Sequence, residues 1–565
     1  MAQTTTEERI QRLRRRWAAL KRDRDGWFSV GRDIQTFLAP DTGRFQGTNR
    51  KDNGHRNDQK IIDGSATRSW RTLAAGWQSG TSSPSQPWFE LAPAEAELAD
   101  DLEVRAWLTR CRDVIRDIFS RSNVYRGLHS LREENAAYGT NCGILMPDFD
   151  TVLHLNTLTF GEFALATDHK GVINTMYRDM SMTVDQMVRQ FGLDACSAPV
   201  RNAYRNGHYD QTFSVIHAIE PRPVDERVGR VGAIRAPWRE TYFELTQDSR
   251  DVLWESGYDQ FPVLASRWIV NGNNVYGTSP GRDALGDIKQ LQHQQLRKGQ
   301  AIDYQTRPPL QGPARLKGNN GALLPGGYSP IEGGDGSNGI RTVFETRLDL
   351  GAMLADIQDI RERISRTFYE DLFRMIADMD RSGITARQIA EQHAEKMALL
   401  GPVVERDQTE CLGPLVEMAF QRAAEVGMLP EPPERMRGRQ LRVEYVSVLA
   451  QAQKQSSAAA IDRLVGTAAS LAQVWPDAVD KINPDEVIDE YADVLGTPPR
   501  ITRTTDEVDQ LRQQRAQQQQ AIQQQAMAAE QAKIDKDQAA AEASRAKVSG
   551  GTDVPAALAD AQFLG

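Results

Sequence analysis

The residues that could form a catalytic or metal site are scattered, and two groups come closest to a site. His393 lies between Glu391 and Glu395 in a segment of helical character. Spacings of two residues place these carboxylates on different faces of a helix, so a solvated helix surface explains them better than a metal site. Asp148 and Asp150 could form a carboxylate pair, although a turn between two strands explains their Pro-Asp-Phe-Asp run equally well.

The sequence lacks the motifs that would indicate nucleotide or zinc chemistry. A phosphate-binding loop of the form GxxxxGK[ST] and a zinc helix of the form HExxH do not occur. The four cysteines, at positions 111, 142, 196 and 411, form neither a CxxC pair nor a Cys/His zinc spacing, which favours buried free thiols. We therefore expect a protein without enzymatic activity, cofactor or metal.

The bulk composition indicates a large folded protein with several domains. A chain of 565 residues is too long for one core, so two to four domains are expected. The net charge of −9 argues against tight wrapping on nucleic acid, because clustered basic residues supply that affinity. The same charge is compatible with weak, transient contact with DNA that passes the protein. Since no run of about eighteen apolar residues occurs, we expect no membrane span.

The stretch from Tyr276 to Asp380 predicts two long helices joined by a loop-rich excursion. Apolar residues recur at helical spacing in Asp283 to Gln305 and in Leu350 to Met379. Between them, Leu310 to Arg347 is rich in glycine and proline, with short apolar patches that could be strands. The pattern fits a protruding hairpin and an ordinary buried hairpin equally well. The apolar stripes are Leu285, Ile288, Leu291, Leu296 and Ile302 in the first helix, and Met353, Ile357, Ile360, Ile364, Phe368, Leu372 and Met375 in the second.

The flanking regions predict a mainly helical α+β protein. Short helices precede a region of strands that extends to about residue 275, with one strand expected over Phe261 to Val270. After the hairpin, helices continue, and Pro402 and Gly413-Pro414 predict kinks or breaks between them. Leu441 to Tyr445 predicts a strand. The Gln/Ala-rich tail from Asp506 to Lys547 has helix propensity but few large apolar residues.

In addition, the chain resembles the portal proteins, or head-to-tail connectors, of short-tailed bacteriophages. The resemblance covers roughly residues 5 to 500, and the order and spacing of its motifs are more specific than any single motif. These motifs are Ile62-Asp63-Gly64-Ser65-Ala66-Thr67, Leu73-Ala74-Ala75-Gly76, Ser83-Pro84-Ser85-Gln86-Pro87-Trp88-Phe89, Ser122-Asn123-Val124-Tyr125, Tyr138-Gly139-Thr140, Phe160-Gly161-Glu162-Phe163, Phe191-Gly192, Tyr276-Gly277-Thr278-Ser279-Pro280-Gly281, Arg307-Pro308-Pro309, Leu400-Gly401-Pro402-Val403 and Ala450-Gln451-Ala452-Gln453-Lys454.

The resemblance implies a portal-type fold that assembles as a dodecameric ring around a channel at one capsid vertex. The channel would serve DNA packaging and ejection. The implied segments are a wing at 1–280, a first stem helix at 281–305, a clip at 306–349, a second stem helix at 350–376, a tunnel loop at 377–384, a long kinked wing helix at 385–434, a crown at 435–500, and a Gln/Ala-rich tail at 501–565 that could continue as a helical barrel.

The resemblance also implies partners and candidate site residues. The expected partners are further copies of the chain, the major capsid protein, the terminase large subunit, a tail adaptor, scaffold and internal core proteins, and the double-stranded DNA in the channel. The expected location is the virion, with the host cytoplasm during assembly. Candidates for the DNA channel are Lys289, Arg297, Lys298, Arg374, Asp378, Asp380 and Arg381, and candidates for partner binding at the clip are Arg315, Lys317, Tyr328, Glu332 and Asp335.

Two other functions remain open on the sequence. A DNA-packaging enzyme such as an ATPase or nuclease would need the phosphate-binding loop that is missing. A scaffold or another internal virion protein would suit the Gln/Ala-rich tail, but it would not explain the long folded α+β region.

Overall fold

The computed structural model describes the following parts of the chain: residues 6–45, 58–95, 98, 101–227, 232–245, 252–313, 324–331, 340–343, 350–377, 394–447, 461, 463–471, 475, 481–488 and 505–549. The chain forms two compact units. The larger comprises Met1–Ala99 and Glu103–Gly496, and the smaller comprises Asp100–Leu102 and Thr497–Gly565. In the smaller unit, one α-helix extends over Thr505–Ser549, as the tail composition predicts, and its described side chains are mostly exposed.

Helices dominate the larger unit. The helices before the strand region are α1 (Thr6–Asp25), α2 (Phe28–Phe37), α3 (Ser65–Ser82), α4 (Leu102–Arg121) and α5 (Val124–Tyr138). Among the later helices are α6 (Val184–Phe191), α7 (Ala198–Arg205), α8 (Pro280–Asp283), α9 (Leu285–Thr306), α10 (Leu350–Thr367), α11 (Glu370–Ala377), α12 (Ala394–Asp407) and α13 (Gly413–Glu425).

The strands of the described residues form four small sheets and confirm the α+β class. They are β1 (Phe89–Pro93), β2 (Cys142–Asp148), β3 (Val152–Leu158), β4 (Phe163–Thr167), β5 (Ile173–Thr183), β6 (Thr212–Pro221), β7 (Trp238–Glu244), β8 (Trp254–Tyr258), β9 (Val263–Leu264), β10 (Leu310–Pro313), β11 (Tyr328–Ile331), β12 (Arg341–Thr342) and β13 (Leu441–Tyr445). The orders are β4-β5-β6-β7-β8, β3-β2-β9, β11-β10-β12 and β1-β13.

The five-stranded antiparallel sheet is covered by helices on both faces. Ile216 and Ala218 of β6 lie in a core cluster with Trp17 of α1, whereas Val215 belongs to a cluster with α6 and α7. This division follows from the period of two along a strand, which sends successive side chains to opposite faces. Helix α6 begins at a capping box in which Thr183 accepts from the amide of Gln186.

The second long helix of the hairpin breaks, so the predicted continuous helix from Leu350 to Met379 is wrong. Helix α10 ends at Thr367, Tyr369 takes a positive φ of 51°, and α11 begins at Glu370. A non-glycine residue in this region is uncommon and is held there by its surroundings. The break allows both Leu372 and Phe373 to be fully buried.

The kinks or breaks expected at Pro402 and Gly413-Pro414 take the form of an irregularity within one continuous helix. Within residues 394–425, all of them described, helix α12 continues through Pro402, and a π-helical segment, Gln408–Leu412, leads directly into α13. A π segment absorbs an extra residue without ending the helix. The irregularity that the sequence predicts is therefore present, but it is a local widening of one helix.

The strand expected over Phe261 to Val270 is wrong for most of its length, because only Val263–Leu264 pairs as a strand. The following residues cross the core as an irregular segment. Asn141 accepts from the amide of Ser266 at 2.8 Å, and Arg267 forms an isolated bridge with Thr140. A side-chain hydrogen bond and a single backbone bridge therefore replace regular strand pairing there, and the apolar pattern of the sequence does not predict them.

Candidate functional site at the base of the helical hairpin

The two hairpin helices pack on each other and on the body of the larger unit through their predicted apolar stripes. Ile288 and Leu291 of α9 are fully buried, as are Ile360 and Ile364 of α10. Charged pairs supplement this packing, and Arg363 of α10 lies 3.1 Å from the carboxylate of Asp287. The stripe predictions are confirmed in this part of the hairpin, which lies far from the loop-rich excursion and is called its lower part or base below.

Asp63 joins both hairpin helices to the start of α3. Its Oδ2 accepts hydrogen bonds from Gln295 of α9 and from Arg361 of α10, each at 2.7 Å. Its Oδ1 accepts from the amide of Ser65 at 2.9 Å. Burial of Asp63 opposes ionisation, but the bonds from Ser65 and Arg361 outweigh it and lower its pKa to about 2. Asp63 is therefore an ionised tie between three segments.

Gln292 completes the polar cluster around Asp63. Its side-chain oxygen accepts from the amides of Ile62 and Asp63, at 2.7 and 2.8 Å, and its amide nitrogen donates to the carbonyl of Asp63 at 2.9 Å. Every polar atom of this buried glutamine side chain thus has a backbone partner. The sequence alone does not reveal this cluster, since the partners of Asp63 on α9 and α10 lie more than 220 residues away along the chain.

Helix α11 is held against α3 by close packing. A Cβ added to Gly76 of α3 would lie 2.5 to 2.9 Å from Cβ, Cα and the carbonyl oxygen of Phe373, so only glycine permits this approach. Nearby, Ser69 donates to Glu370 at 2.6 Å, and Arg374 donates to the same carboxylate at 2.6 Å. Helix α3 therefore supports α11, the segment that follows the second hairpin helix.

The upper part of the hairpin differs from the prediction, because two of its stripe residues are not buried. Leu296 is 47% exposed and Ile302 is 41% exposed, while Leu354 of α10 is 52% exposed. At about 100° per residue, Leu296 lies about 80° around α9 from Ile288, whereas Ile302 shares the face of Ile288 and Leu291 and lies further along the helix, where the described residues do not cover that face. Apolar surface therefore faces outward on both helices.

The channel candidates occupy different environments. The Lys289 ammonium lies 2.7 Å from Asp33 and over the ring of Phe37, so α2 already engages it. The Arg297 side chain is exposed and donates to Gln300 on its own helix at 3.1 Å. Lys298 is half-buried.

The remaining site candidates divide between described and undescribed residues. Arg374 pairs with Glu370, and Tyr328 lies in β11, where β10 pairs with it in parallel. Seven candidates lie outside the described residues: Asp378, Asp380, Arg381, Arg315, Lys317, Glu332 and Asp335.

The carboxylate pair that could have been catalytic forms a turn. Asp148 Oδ2 accepts from both the amide and the hydroxyl of Thr151, at 2.8 and 2.7 Å, and these bonds lower the pKa of Asp148. This is the turn interpretation of the Pro-Asp-Phe-Asp run. His393 and its neighbouring glutamates lie outside the described residues.

The sequence also contains one nucleophile-elbow spacing, Gly277-Thr278-Ser279-Pro280-Gly281, which motif reasoning missed. Ser279 is buried, donates to the carbonyl of Ala137 at 2.7 Å and accepts from the amide of Arg282 at the start of α8. It is a helix cap rather than a nucleophile.

The described residues contain no group of three or more metal-ligating side chains. All four cysteines are buried free thiols, and burial raises the pKa of each. Among the helices that the structure describes, none is long and apolar enough to cross a membrane.

The fold is a mixed α+β body whose helical hairpin is fixed by the Asp63 cluster and carries exposed apolar side chains. Comparison with known proteins identifies the family. Residues 10–502 match the family described as bacteriophage head to tail connecting protein, and the chain belongs to that family.

Two relatives support the same assignment along nearly the full chain. The probable portal protein of Bordetella phage BPP-1 is 44% identical over 524 residues, which cover 92% of this chain and 93% of the relative. The portal protein of Salmonella phage epsilon15 is 37% identical over 530 residues, which cover 93% and 94%.

A solved structure titled virion of native gene transfer agent particle is similar over 71% of this chain and 86% of that chain. Its TM-score is 0.32 and its identity 11%, which is too low to support an argument.

Proposed function

We propose that the chain assembles into a dodecameric ring around a central channel at one vertex of a phage capsid, and that DNA is packaged and ejected through this channel. The observation that carries the proposal is the family match over residues 10–502, together with two relatives named as portal proteins. The virion would be its final location, with the host cytoplasm as the place of assembly.

In this assembly the hairpin would be the stem and its excursion the clip. Helix α9 has 22 residues, which corresponds to a length of about 33 Å. The wing would comprise 1–280 and 385–434, the crown 435–500, and the tunnel loop 377–384. The Asp63 cluster suits this division, because it fixes the base of both stem helices to the wing.

The exposed apolar residues of the stem support oligomerisation. Leu296, Ile302 and Leu354 are all more than 40% exposed in the single chain. Packing against an adjacent subunit would remove these side chains from water.

The channel wall must let DNA slide, so it must not hold many phosphates at once. Strong phosphate binding comes from clustered Lys and Arg, and the chain carries a net charge of −9. Arg297 is the channel candidate that we favour, because its guanidinium is exposed and its partner Gln300 is uncharged. Lys289 is less suited, since Asp33 already neutralises it.

The clip would bind the terminase large subunit during packaging and the tail adaptor afterwards. Its described part is the sheet β11-β10-β12, which follows directly after the stem helix α9. Tyr328 in β11 is the candidate contact within the described residues. The wing would meet the major capsid protein, and the crown and tail would face scaffold and internal core proteins.

The ring is tested by a reconstruction of the purified protein by electron microscopy. We expect a closed ring with a central hole, and twelve subunits when it is assembled in the capsid. Monomers or rods under all assembly conditions would overturn the proposal.

The channel role is tested in particles assembled with Arg297→Glu, measured by the DNA packaged and retained per particle. We expect a several-fold loss, since charge at the wall changes how phosphates pass. Arg189→Glu is the matched control, because Arg189 is an exposed arginine of α6 outside the hairpin. If both variants retain DNA like the wild type, Arg297 does not face the channel.

A further inference from the structure

The tip of the β2–β3 hairpin carries a completely exposed aromatic side chain. Phe149 has a relative exposure of 109%, the highest among the exposed large apolar residues of the described chain. Asp148 and Asp150 flank it. A lone surface leucine needs no explanation, but a phenylalanine held fully in water at a loop tip suggests a contact with another molecule.

The turn that presents Phe149 is ordered and strained. Asp148 pairs in register with Val152, and its carboxylate holds the amide and hydroxyl of Thr151. Val152 adopts a φ of 71°, a left-handed conformation that a β-branched residue strongly disfavours. Such strain persists where the surroundings impose it, and it often accompanies function.

A groove with complementary chemistry lies along α3. It has a volume of about 640 Å³, and a closed cavity of about 150 Å³ already accepts benzene. Pro40, Ile61 and Ala75 supply apolar walls, while Arg68 and Arg71 line the same groove.

The groove carries two arginines that are weakly engaged. Arg71 is paired only loosely with Asp41, at 3.7 Å and with both side chains more than half exposed. Arg68 is exposed, and no acid among the described residues forms an ion pair with it in the structure. Asp58 also lines the groove, and with Asp41 it makes two acids beside the two arginines.

We propose that the Phe149 tip of one copy of the chain inserts into the α3 groove of the next copy, with Asp148 and Asp150 beside Arg68 and Arg71. The inference rests on the proposed ring and names one contact between neighbouring subunits of that ring.

A second copy is the occupant that the observations favour. The tip and the groove are built from different segments of the chain, since Phe149 lies in the β2–β3 turn and the groove is lined mainly by α3. Two different complementary patches on one chain make a head-to-tail contact, and such contacts generate rings when the rotation closes. Opposite charges at the rim then select the register of neighbouring copies.

Directed disulfide cross-linking tests the contact. The variants Phe149→Cys and Ala75→Cys place exposed thiols at the tip and in the groove, while the four native cysteines are buried and remain unreactive. When the two single variants are mixed and assembled, we expect covalent dimers on a non-reducing gel. A chain carrying both substitutions should give a ladder of multimers.

The alternatives give different products. Rings without cross-links would overturn the contact and leave the ring intact. Phe149→Cys that cross-links to itself would indicate a tip-to-tip contact, and a double variant that closes on itself as a monomer would indicate that the chain fills its own groove; either result overturns the proposal. Wild-type protein that never forms rings would remove the ring and this contact together.

A charge exchange tests the rim. Arg68→Glu should weaken subunit association about tenfold, and adding Asp150→Arg should restore much of that loss, because the pair is then reversed. Arg189→Glu serves as the control for a change of surface charge and should have no effect on association. Equal weakening in the single and the double variants would contradict the pairing.

Discussion

The base of the hairpin and the five-stranded sheet both bury ionisable side chains, but they do so for different purposes. At the hairpin base, Asp63 is ionised, with a pKa of about 2, and it links segments that are distant in the sequence. In the sheet, His217 of β6 is neutral, because burial lowers its pKa to about 4. It receives a hydrogen bond from Arg178 at 3.0 Å and lies 2.9 Å from Glu240, both on adjacent strands.

The two regions also differ in what they leave exposed. The sheet has helices on both faces, and the His217 ring stacks on Tyr242 with centroids 4.2 Å apart. The hairpin is fixed only at its lower part, and Leu296 and Leu354 face outward above the Asp63 cluster. The sheet is therefore complete within one chain, whereas the hairpin has surface that a neighbouring molecule can cover.

The largest expected effect comes from removing the tie at the hairpin base. Asp63→Ala should lower the free energy of unfolding by about 3 kcal/mol, because it leaves Gln295 and Arg361 without their acceptor. Urea titration of the unassembled protein measures this. Asp63→Asn keeps the shape and an acceptor for Ser65, so its loss should be smaller. A loss below 1 kcal/mol for Asp63→Ala would show that apolar packing alone fixes the hairpin.

In the sheet, we expect the free energy of unfolding to depend on pH through the protonation of His217. Since the folded pKa of His217 is about 4 and its usual value is 6.5, the unfolded chain binds more protons between these values, and stability falls as the pH drops from 6.5 to 4. This group should contribute a loss of about 2 to 3 kcal/mol over that range.

The contribution of His217 is isolated by comparing the wild type with His217→Gln at pH 7 and pH 4.5. Titrating groups away from this pair affect both proteins alike, so the difference between the two unfolding free energies reports His217 together with Glu240, whose pKa is lowered by its hydrogen bond to His217. An equal loss in both proteins would mean that the acid sensitivity of the chain arises elsewhere.

A third change tests how closely α11 must approach α3. Gly76→Ala should destabilise the protein by about 2 kcal/mol, because the new methyl group meets backbone atoms of Phe373 that a rotamer change cannot move. Gly286→Ala in α9 is the matched control, since no atom lies within 4 Å of the added Cβ. The control should be neutral or stabilising by about 0.5 kcal/mol, as alanine favours helix. Thermal melts of both variants distinguish these outcomes.

The smallest effect is expected at the exposed ion pair of the hairpin. Lys289→Ala should cost about 0.5 kcal/mol, because the Lys289 and Asp33 side chains are both over 40% exposed and water screens their attraction. Raising the salt concentration should reduce even this difference. A loss comparable to that of Asp63→Ala would show that the contact with α2 is as important as the buried cluster.

Much of the hairpin was predictable from its sequence, since periodicity reports which face of a helix is buried. The stripe from Ile357 to Leu372 is buried as predicted, and α9 begins and ends within a few residues of the expected bounds. The exposure of Leu296 was not predictable, because periodicity shows that a side chain belongs to an apolar face and does not show whether the same chain covers it. The break at Tyr369 likewise has no proline or glycine to announce it.

The sequence by itself determined the α+β class, the hairpin and its loop-rich excursion, the strand Leu441–Tyr445 and the resemblance to head-to-tail connectors, because these follow from local periods, turn residues and ordered motifs. Only the tertiary structure decided that Asp63 ties both hairpin helices to α3 and that Phe149 stands in solvent on a strained turn. These features depend on contacts between residues far apart in the chain, and on the local backbone conformation that the packed fold imposes at Val152.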